Sequence, residues 1–156
     1  MATKSPPEGI LIIAENKRAR FDYSISDTYE CGIVLTGSEV KSLRARHVNF
    51  SDSYGLLKNN ELFLIGLRLE PYSHGSYNNH ESDRTRKLLL HRKELKRIFR
   101  ETKEKGATVV PLKIYFKNGR AKILVGIAKG KTKSDKRETL KDRDVKKELA
   151  RVLKRG

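Results

Sequence analysis

The chain has 156 residues, which suits one domain with a single core and is too short for two comfortable domains. Its formal net charge is +16 and 35% of its residues are charged, so we expect salt-dependent affinity for phosphates regardless of base sequence. One cysteine excludes an internal disulfide, and the short apolar runs argue against a membrane span or signal peptide, which predicts a soluble, cytoplasmic protein.

The N-terminal part of the chain is predicted to hold an arm followed by short strands. Residues 1–9 contain two prolines and a glycine, which predicts a flexible arm. From Ile10 onward the pattern predicts strands, with a β-rich run at Tyr29–Thr36. Cys31 lies between apolar neighbours in this run, so we expect a small buried side chain rather than a nucleophile.

The middle of the chain is predicted to contain a short helix, a hairpin and a loop. Ser38 is expected to cap a helix over Glu39–His47. Two strand-like runs, Ser53–Leu57 and Glu61–Leu69, are separated by three polar residues, which is a hairpin length. The polar stretch Pro71–Asp83 is then predicted to be the longest internal loop.

The following segment is predicted to be a strand and a helix. Thr85–Leu90 is strand-like, and Arg92–Lys105 has helical periodicity and is followed by a glycine that would end the helix. The predicted buried face of this helix consists of Leu95, Ile98, Phe99 and Thr102.

A long hairpin over Thr108–Ala128 is the clearest element of the sequence. Asn118-Gly119 is a preferred pair for a type I′ turn because both residues tolerate positive φ. Together with the other short strands and two or three short helices, this hairpin predicts a mainly β fold, a small closed antiparallel β-barrel. Alternation in the first strand predicts a buried face of Leu112, Ile114 and Phe116 and a basic, aromatic face of Lys113, Tyr115 and Lys117.

The C-terminal stretch carries a concentrated positive charge. Residues 129–156 hold twelve Lys and Arg against five Asp and Glu, a net charge of +7. We predict that residues 131–156 are disordered in the free protein and form a helix against a partner. A solvated flexible end is the alternative, but the steep positive bias favours RNA. The predicted helix has an apolar stripe of Val145, Leu149, Val152 and Leu153.

The sequence motifs do not predict a catalytic or metal site. Gly126–Thr132 approaches a phosphate-binding loop, but it has three residues rather than four between its glycines and no apolar helix follows. The histidines lack the spacing of metal ligands, although two of them share a loop. We therefore predict a binding protein with no cofactor, no metal and no catalytic residue; an RNA-processing enzyme stays an alternative because catalytic dyads are defined in space. The histidines are His47, His74, His80 and His91.

Three basic clusters are spread along the predicted barrel. They lie at residues 16–20, 41–46 and 84–87. Each cluster alone could be a solvated face, but three of them on one small domain favour a surface that contacts RNA phosphates and exposed bases.

Eight short motifs occur in order between about Ile10 and Leu153. They are Asn16–Arg20, Glu30–Gly37, Glu39–Ala45, Ser51–Tyr54, Thr85–His91, Val110–Gly119, Ala128–Lys131 and Asp135–Arg137. In sequence, order and spacing these motifs resemble the SsrA-binding protein (SmpB) family.

This resemblance implies a fold, a function and partners. It implies an OB-type β-barrel over residues 10–130 that binds the tRNA-like domain of tmRNA (SsrA RNA). It also implies delivery of alanyl-tmRNA, with elongation factor Tu, to stalled ribosomes. The tail, residues 131–156, would enter the empty mRNA channel and contact small-subunit rRNA.

The resemblance also implies the residues that contact RNA. The RNA-facing positions of the family match Asn16, Glu30 and Leu89, surrounded by Lys17, Arg18, Lys41, Arg44, Arg86 and Lys87. The ribosome-contacting positions of the tail match Lys131, Lys133, Asp135, Lys136, Arg137, Lys146 and Lys147.

Some of these assignments keep an alternative. Glu30 either accepts hydrogen bonds from base amino groups or orders a nearby basic side chain, and Leu89 is either an RNA contact or part of the core. The tail has Thr132, Ser134 and Val145 where the family often has a lysine, an aromatic or histidine, and a tryptophan, so its binding would depend more on charge. The runner-up function is a general OB-type RNA- or ribosome-associated protein without tmRNA specificity.

Overall fold

The computed structural model describes residues 9–70 and 82–130. The predictions for the N-terminal arm, for most of the internal loop with His74 and His80, and for the basic tail with its apolar stripe lie outside the described residues. In the part of the chain that the structure describes, none of the helices has the length and apolar content to cross a membrane.

The described chain is mainly β, with a few short helices, as predicted. The first elements are β1 (Ile10–Glu15), α1 (Lys17–Asp22), β2 (Tyr23–Ile33), α2 (Gly37–Arg44), β3 (Val48–Asn49), β4 (Tyr54–Lys58), β5 (Glu61–Ile65) and β6 (Arg68–Leu69). They are followed by β7 (Arg86–Leu89), α3 (Arg92–Phe99), a π-helical turn (Arg100–Glu104), β8 (Thr108–Lys117) and β9 (Arg120–Gly130).

Seven of these strands form one antiparallel sheet in the order β1-β8-β4-β5-β7-β2-β9, and β9 also pairs with β8. β3 and β6 pair separately. The β8–β9 hairpin closes through Asn118 and Gly119, whose φ angles are +51° and +79°, so the predicted turn is confirmed. Asn59 and Asn60 connect β4 and β5 in the same way, with φ angles of +52° and +60°.

The main core lies on the inner face of this sheet, and a smaller buried cluster of Ala19, Val110, Leu112 and Ala128 packs between α1 and the strands β8 and β9. Alternate residues of β8 and β9, such as Ile114 and Ile123, are fully buried and meet apolar side chains from β5 and β7. Cys31 is also fully buried, as predicted, and burial raises the pKa of its thiol to about 12. The thiol is therefore protonated at neutral pH and not a nucleophile.

The helices differ from the prediction at several points. Thr36, not Ser38, caps α2, because the Thr36 hydroxyl and the Glu39 carboxylate form a reciprocal capping box. The basic segment after Asn16 forms α1, which was not predicted.

The prediction that Phe99 belongs to a buried face is wrong. α3 has only eight residues and packs against the core through Ile98 and Leu95, so Phe99 at its C-terminal end stays 45% exposed.

A buried ion pair connects α2 to β7. Glu39 and Arg86 are both fully buried, and the Arg86 guanidinium donates to the Glu39 carboxylate. Arg86 also donates to the carbonyl oxygens of Leu67 (2.7 Å), Arg84 (2.9 Å) and Ser82 (3.1 Å). Its donors are directed at protein acceptors in the interior, which contradicts the prediction that Arg86 contacts RNA phosphates.

The same carboxylate has a second partner at the surface. Arg84, which is partly exposed, donates to Glu39 and to the carbonyl oxygen of Val34 (3.2 Å). Burial alone would raise the pKa of Glu39, but the hydrogen bonds from Arg84 and Thr36 and the charge of Arg86 outweigh it and lower that pKa. Glu39 is therefore ionised at neutral pH, and its carboxylate connects the start of α2 to Arg84 and to Arg86 of β7.

This arrangement makes neighbouring residues of β7 differ in their effect on stability. Arg86→Met should lower the free energy of unfolding by about 3–5 kcal/mol, because it leaves a buried carboxylate with one partner fewer. Lys87→Met is the matched control, since the Lys87–Glu61 pair is exposed and worth at most about 1 kcal/mol. Urea unfolding measures the free energy of unfolding of both variants. Equal values would show that the buried Glu39–Arg86 pair contributes no more to stability than the exposed Lys87–Glu61 pair.

Candidate nucleic-acid interface

Three adjacent strands, β2, β9 and β8, present polar and basic side chains on their outer face. Leu124 of β9 pairs with Glu30 of β2 on one side and with Lys113 of β8 on the other. In the same way, Lys122 of β9 pairs with Gly32 of β2 and with Tyr115 of β8. Residues that are paired across strands share one face of a sheet, so these positions form one surface. We call it the outer face and define it by Glu30, Lys113, Tyr115, Lys117, Lys122 and Leu124.

Glu30 is held in place by two of its neighbours. The Tyr115 hydroxyl donates to one carboxylate oxygen at 2.5 Å, and Lys117 Nζ donates to the other at 3.3 Å. The hydrogen bond from Tyr115 is the main reason that the pKa of Glu30 is lowered, and it helps burial to raise the pKa of Tyr115. The Glu30 side chain is still 38% exposed, so an ionised carboxylate with a set orientation faces solvent.

Leu89 lies next to this surface on β7. It is 51% exposed whereas Leu88 is buried, so the alternative that Leu89 belongs to the core is wrong. Leu89 pairs with Gly32, and a Cβ on Gly32 would lie only 3.2 Å from the Leu89 Cβ. The glycine therefore lets Leu89 lie close to β2, two residues along the strand from Glu30.

A concavity of about 370 Å³ adjoins the other side of the outer face. It is lined in part by Asn16 and Lys17 and shares Lys113 and Leu124 with the outer face. Both polar ends of the Asn16 side chain are used within the protein: Oδ1 accepts from the Ala19 amide (3.3 Å) and Nδ2 donates to the Pro111 carbonyl oxygen (2.8 Å). Asn16 therefore shapes the start of α1, while Lys17 is exposed and available to a ligand.

The other predicted RNA contacts fall into two groups. Arg18 is exposed on α1 beside Lys17, and Lys87 is paired with Glu61 at 3.0 Å on the solvent side of β7. Lys41 and Arg44 lie on α2, where Arg44 stacks over the ring of Phe116 at 4.6 Å. Successive residues of a strand point to opposite faces, and Phe116 belongs to the core whereas the preceding Tyr115 is on the outer face. Because Arg44 contacts Phe116, it lies away from the outer face.

The structure thus brings five of the nine predicted residues to one connected surface, with Arg18 at its edge. The five are Asn16, Lys17, Glu30, Lys87 and Leu89. Lys41, Arg44 and the buried Arg86 do not join it.

Several residues of the outer face were not among the predicted contacts. The alternation of basic and apolar residues in the hairpin predicts an exposed basic face, but it does not identify Lys113, Lys117 or Lys122 as neighbours of Glu30. The prediction that Tyr115 is exposed is wrong, because Lys113 lies 5.8 Å from its ring centre and Glu30 binds its hydroxyl, which leaves only 4% of it accessible.

Within residues 9–70 and 82–130 there is no group of three or more His, Cys, Asp or Glu side chains that could hold a metal ion.

Comparisons with known proteins match this chain over nearly its whole length. The model of the family described as "SmpB protein" matches residues 13–155. The SsrA-binding protein of Ligilactobacillus salivarius is 50% identical over 99% of this chain and 98% of its own length. The SsrA-binding protein of Bdellovibrio bacteriovorus is 53% identical over 96% of this chain and 98% of its own length.

A solved structure agrees with these relatives. It is described as "tmRNA-SmpB: a journey to the center of the bacterial ribosome", and one of its chains is similar to this one with a TM-score of 0.66 and 48% identity, covering 85% of this chain and 94% of that chain. With a family match over residues 13–155 and relatives at 50% identity or more, the chain belongs to the SmpB protein family.

Proposed function

We propose that this protein binds tmRNA through its outer face and brings it to stalled ribosomes in trans-translation. The observation that carries the proposal is the identity of 50% and 53%, over almost the whole chain, with relatives named for binding SsrA RNA. The description of the solved relative, which joins tmRNA, SmpB and the ribosome, supports the same partners.

The outer face has the chemistry that such binding requires. Its lysines attract phosphates, and this attraction sets the position of the RNA without reading its bases. Glu30 adds discrimination, because a carboxylate accepts hydrogen bonds from base amino groups and repels phosphates. Tyr115 and Lys117 hold Glu30 in one orientation, so the Glu30 side chain loses little conformational entropy when RNA binds.

The RNA-binding body is proposed to be a closed barrel of the OB type over residues 10–130. In support, β8, β4, β5, β7, β2 and β9 pair in that order, and β9 pairs again with β8. OB barrels commonly bind nucleic acid on the outside of their strands, which fits an interface on β2, β9 and β8.

The basic stretch 131–156 is proposed to serve the ribosome rather than tmRNA. Its charge suits small-subunit rRNA in an mRNA channel that a truncated message has left empty. In the same proposal the protein travels with alanyl-tmRNA and elongation factor Tu, in the cytoplasm. This role consists of binding and delivery, so it assigns the protein no cofactor and no catalytic residue.

Replacing the central carboxylate should separate RNA recognition from stability. Glu30→Gln should lower the affinity for tmRNA about 10-fold, since it removes a charged acceptor, while the amide oxygen still accepts from Tyr115 and keeps the thermal midpoint nearly unchanged. Glu70→Gln is the control, because Glu70 is an exposed acid paired with Arg68 on β6.

Binding titrations with tmRNA and with a second RNA measure these affinities and also test the alternative function, a general RNA-binding protein without tmRNA specificity. The parent protein should bind tmRNA more tightly than a tRNA of similar charge at equal salt. Equal affinity for both RNAs would favour a general RNA-binding protein, and a Glu30→Gln protein that matches Glu70→Gln would remove Glu30 from the RNA contacts.

Truncation after Gly130 should separate the two proposed sites. The shortened protein keeps the outer face, so its affinity for tmRNA should stay within about 3-fold of the parent at moderate salt, whereas tagging of nascent chains on stalled ribosomes should be lost. Both activities are measured on one preparation. A loss of tmRNA affinity as large as the loss of tagging would contradict this division.

A further inference from the structure

A groove of about 900 Å³ lies between β7 and α3 with its π-helical turn. Leu89 forms part of its floor, and the turn between β4 and β5 forms the opposite edge. We call it the α3 groove and define it by Leu89, Arg92, Leu95, Lys96, Phe99 and Arg100. It continues from the outer face, because Leu89 pairs with Gly32 of β2.

One face of α3 and its π-helical turn is directed into the groove. Arg92, Lys96, Phe99 and Arg100 are spaced at i, i+4, i+7 and i+8 and therefore share one side of a helix. Lys93 and Arg97 lie on the same helix but do not line the groove. A single π-helical turn after α3 is itself uncommon, and such turns occur frequently at functional sites.

The groove combines exposed apolar surface with unpaired positive charge. Leu89 is 51% exposed and Phe99 is 45% exposed, and both line the same groove, so they form one exposed apolar patch rather than scattered single residues. Two carboxylates, Glu61 and Glu104, also line the groove beside four cations, so its net charge is positive. Lys87 is paired with Glu61, whereas among the described residues Arg92, Lys96 and Arg100 have no ion-pair partner.

This combination favours an RNA nucleotide over an acidic protein segment. The three cations attract a polyanion, and an aromatic ring beside a leucine offers the stacking surface that an unpaired base uses. A volume of about 900 Å³ is within the roughly 300–1,000 Å³ that pockets for small ligands occupy.

We propose that the α3 groove holds an unpaired nucleotide of the bound RNA, with its base against Phe99 and Leu89 and its flanking phosphates at Lys96 and Arg100. The inference rests on the proposed function, since the RNA is taken to be tmRNA. It extends the RNA contacts from the sheet onto a helix that lies beyond the outer face.

Aromatic variants test the stacking. Phe99→Leu should weaken tmRNA binding about 5- to 150-fold, which is the range for loss of one stacked base, while Phe99→Trp should keep the parent affinity. Because Phe99 is half exposed, the thermal midpoints of both variants should stay close to that of the parent.

Charge variants on the two sides of one helix test the phosphates. Lys96→Ala and Arg100→Ala should each reduce the slope of log affinity against log salt by about 0.7 to 0.9. Lys93→Ala and Arg97→Ala are matched controls, with the same change of residue type on the same helix away from the groove, and they should leave the slope near that of the parent.

Chemical probing of unpaired bases completes the test. At saturating protein, the parent should protect a set of tmRNA bases from modification, and Phe99→Leu should restore reactivity at one or two of them while Arg97→Ala restores none. Groove variants that behave like their controls in affinity, salt slope and probing would overturn the nucleotide proposal alone. A parent protein that does not prefer tmRNA over tRNA would instead overturn the proposed function.

Discussion

The buried pair between Glu39 and Arg86 is the constraint on which the candidate interface depends. Strand residues alternate between the two faces of a sheet, so with Arg86 directed inward, Lys87 and Leu89 point outward. A shift of β7 by one residue would exchange these faces, but it would also take a charged guanidinium away from its buried carboxylate. The ion pair thereby sets the register that exposes Leu89.

The register of β7 also determines where the neighbouring elements lie relative to Leu89. Leu89 meets Gly32 on β2, two residues from Glu30, and α3 starts three residues after Leu89. The outer face and the α3 groove are therefore placed relative to each other by one short strand. A mutation at Glu39 or Arg86 would disturb RNA binding without any contact between these residues and RNA.

The outer face is basic, but it also contains one ionised carboxylate, Glu30. Around Glu30 are lysines on β8 and β9, and the carboxylate is ionised because Tyr115 and Lys117 stabilise its charged form. A fixed anion within a cationic surface repels a phosphate placed over it and accepts a base amino group. In the proposed function, Glu30 therefore provides discrimination among RNAs, and the surrounding lysines provide the overall affinity.

Local signals in the sequence were sufficient for parts of this description. The Asn118-Gly119 pair and the alternation that follows it predicted the β8–β9 hairpin, because turn chemistry and strand periodicity act over a few residues. The burial of Cys31 followed from its apolar neighbours. The motifs that resemble the SmpB family identified Glu30 and Leu89 as candidate RNA contacts.

Other features depend on contacts that no local pattern contains. Arg86 stands in a basic run and was predicted to face RNA, but its partner Glu39 is 47 residues away and only the fold brings the two together. Phe99 follows the spacing of a buried helix face, yet α3 is too short for that whole face to be covered. The grouping of Lys113, Lys117 and Lys122 around Glu30 required the register between strands.

We propose that one connected surface, from α1 across the outer face to Leu89, meets the RNA. An NMR titration of the isotope-labelled full-length protein with the tRNA-like domain of tmRNA tests this directly. Shifts in the described region should concentrate at Lys17, Glu30, Leu89, Lys113 and Lys122 and spare Lys41 of α2 and Tyr54 of β4. Shifts that cluster on α2 or β4 and leave Glu30 and Leu89 unchanged would show that the RNA binds to a different surface.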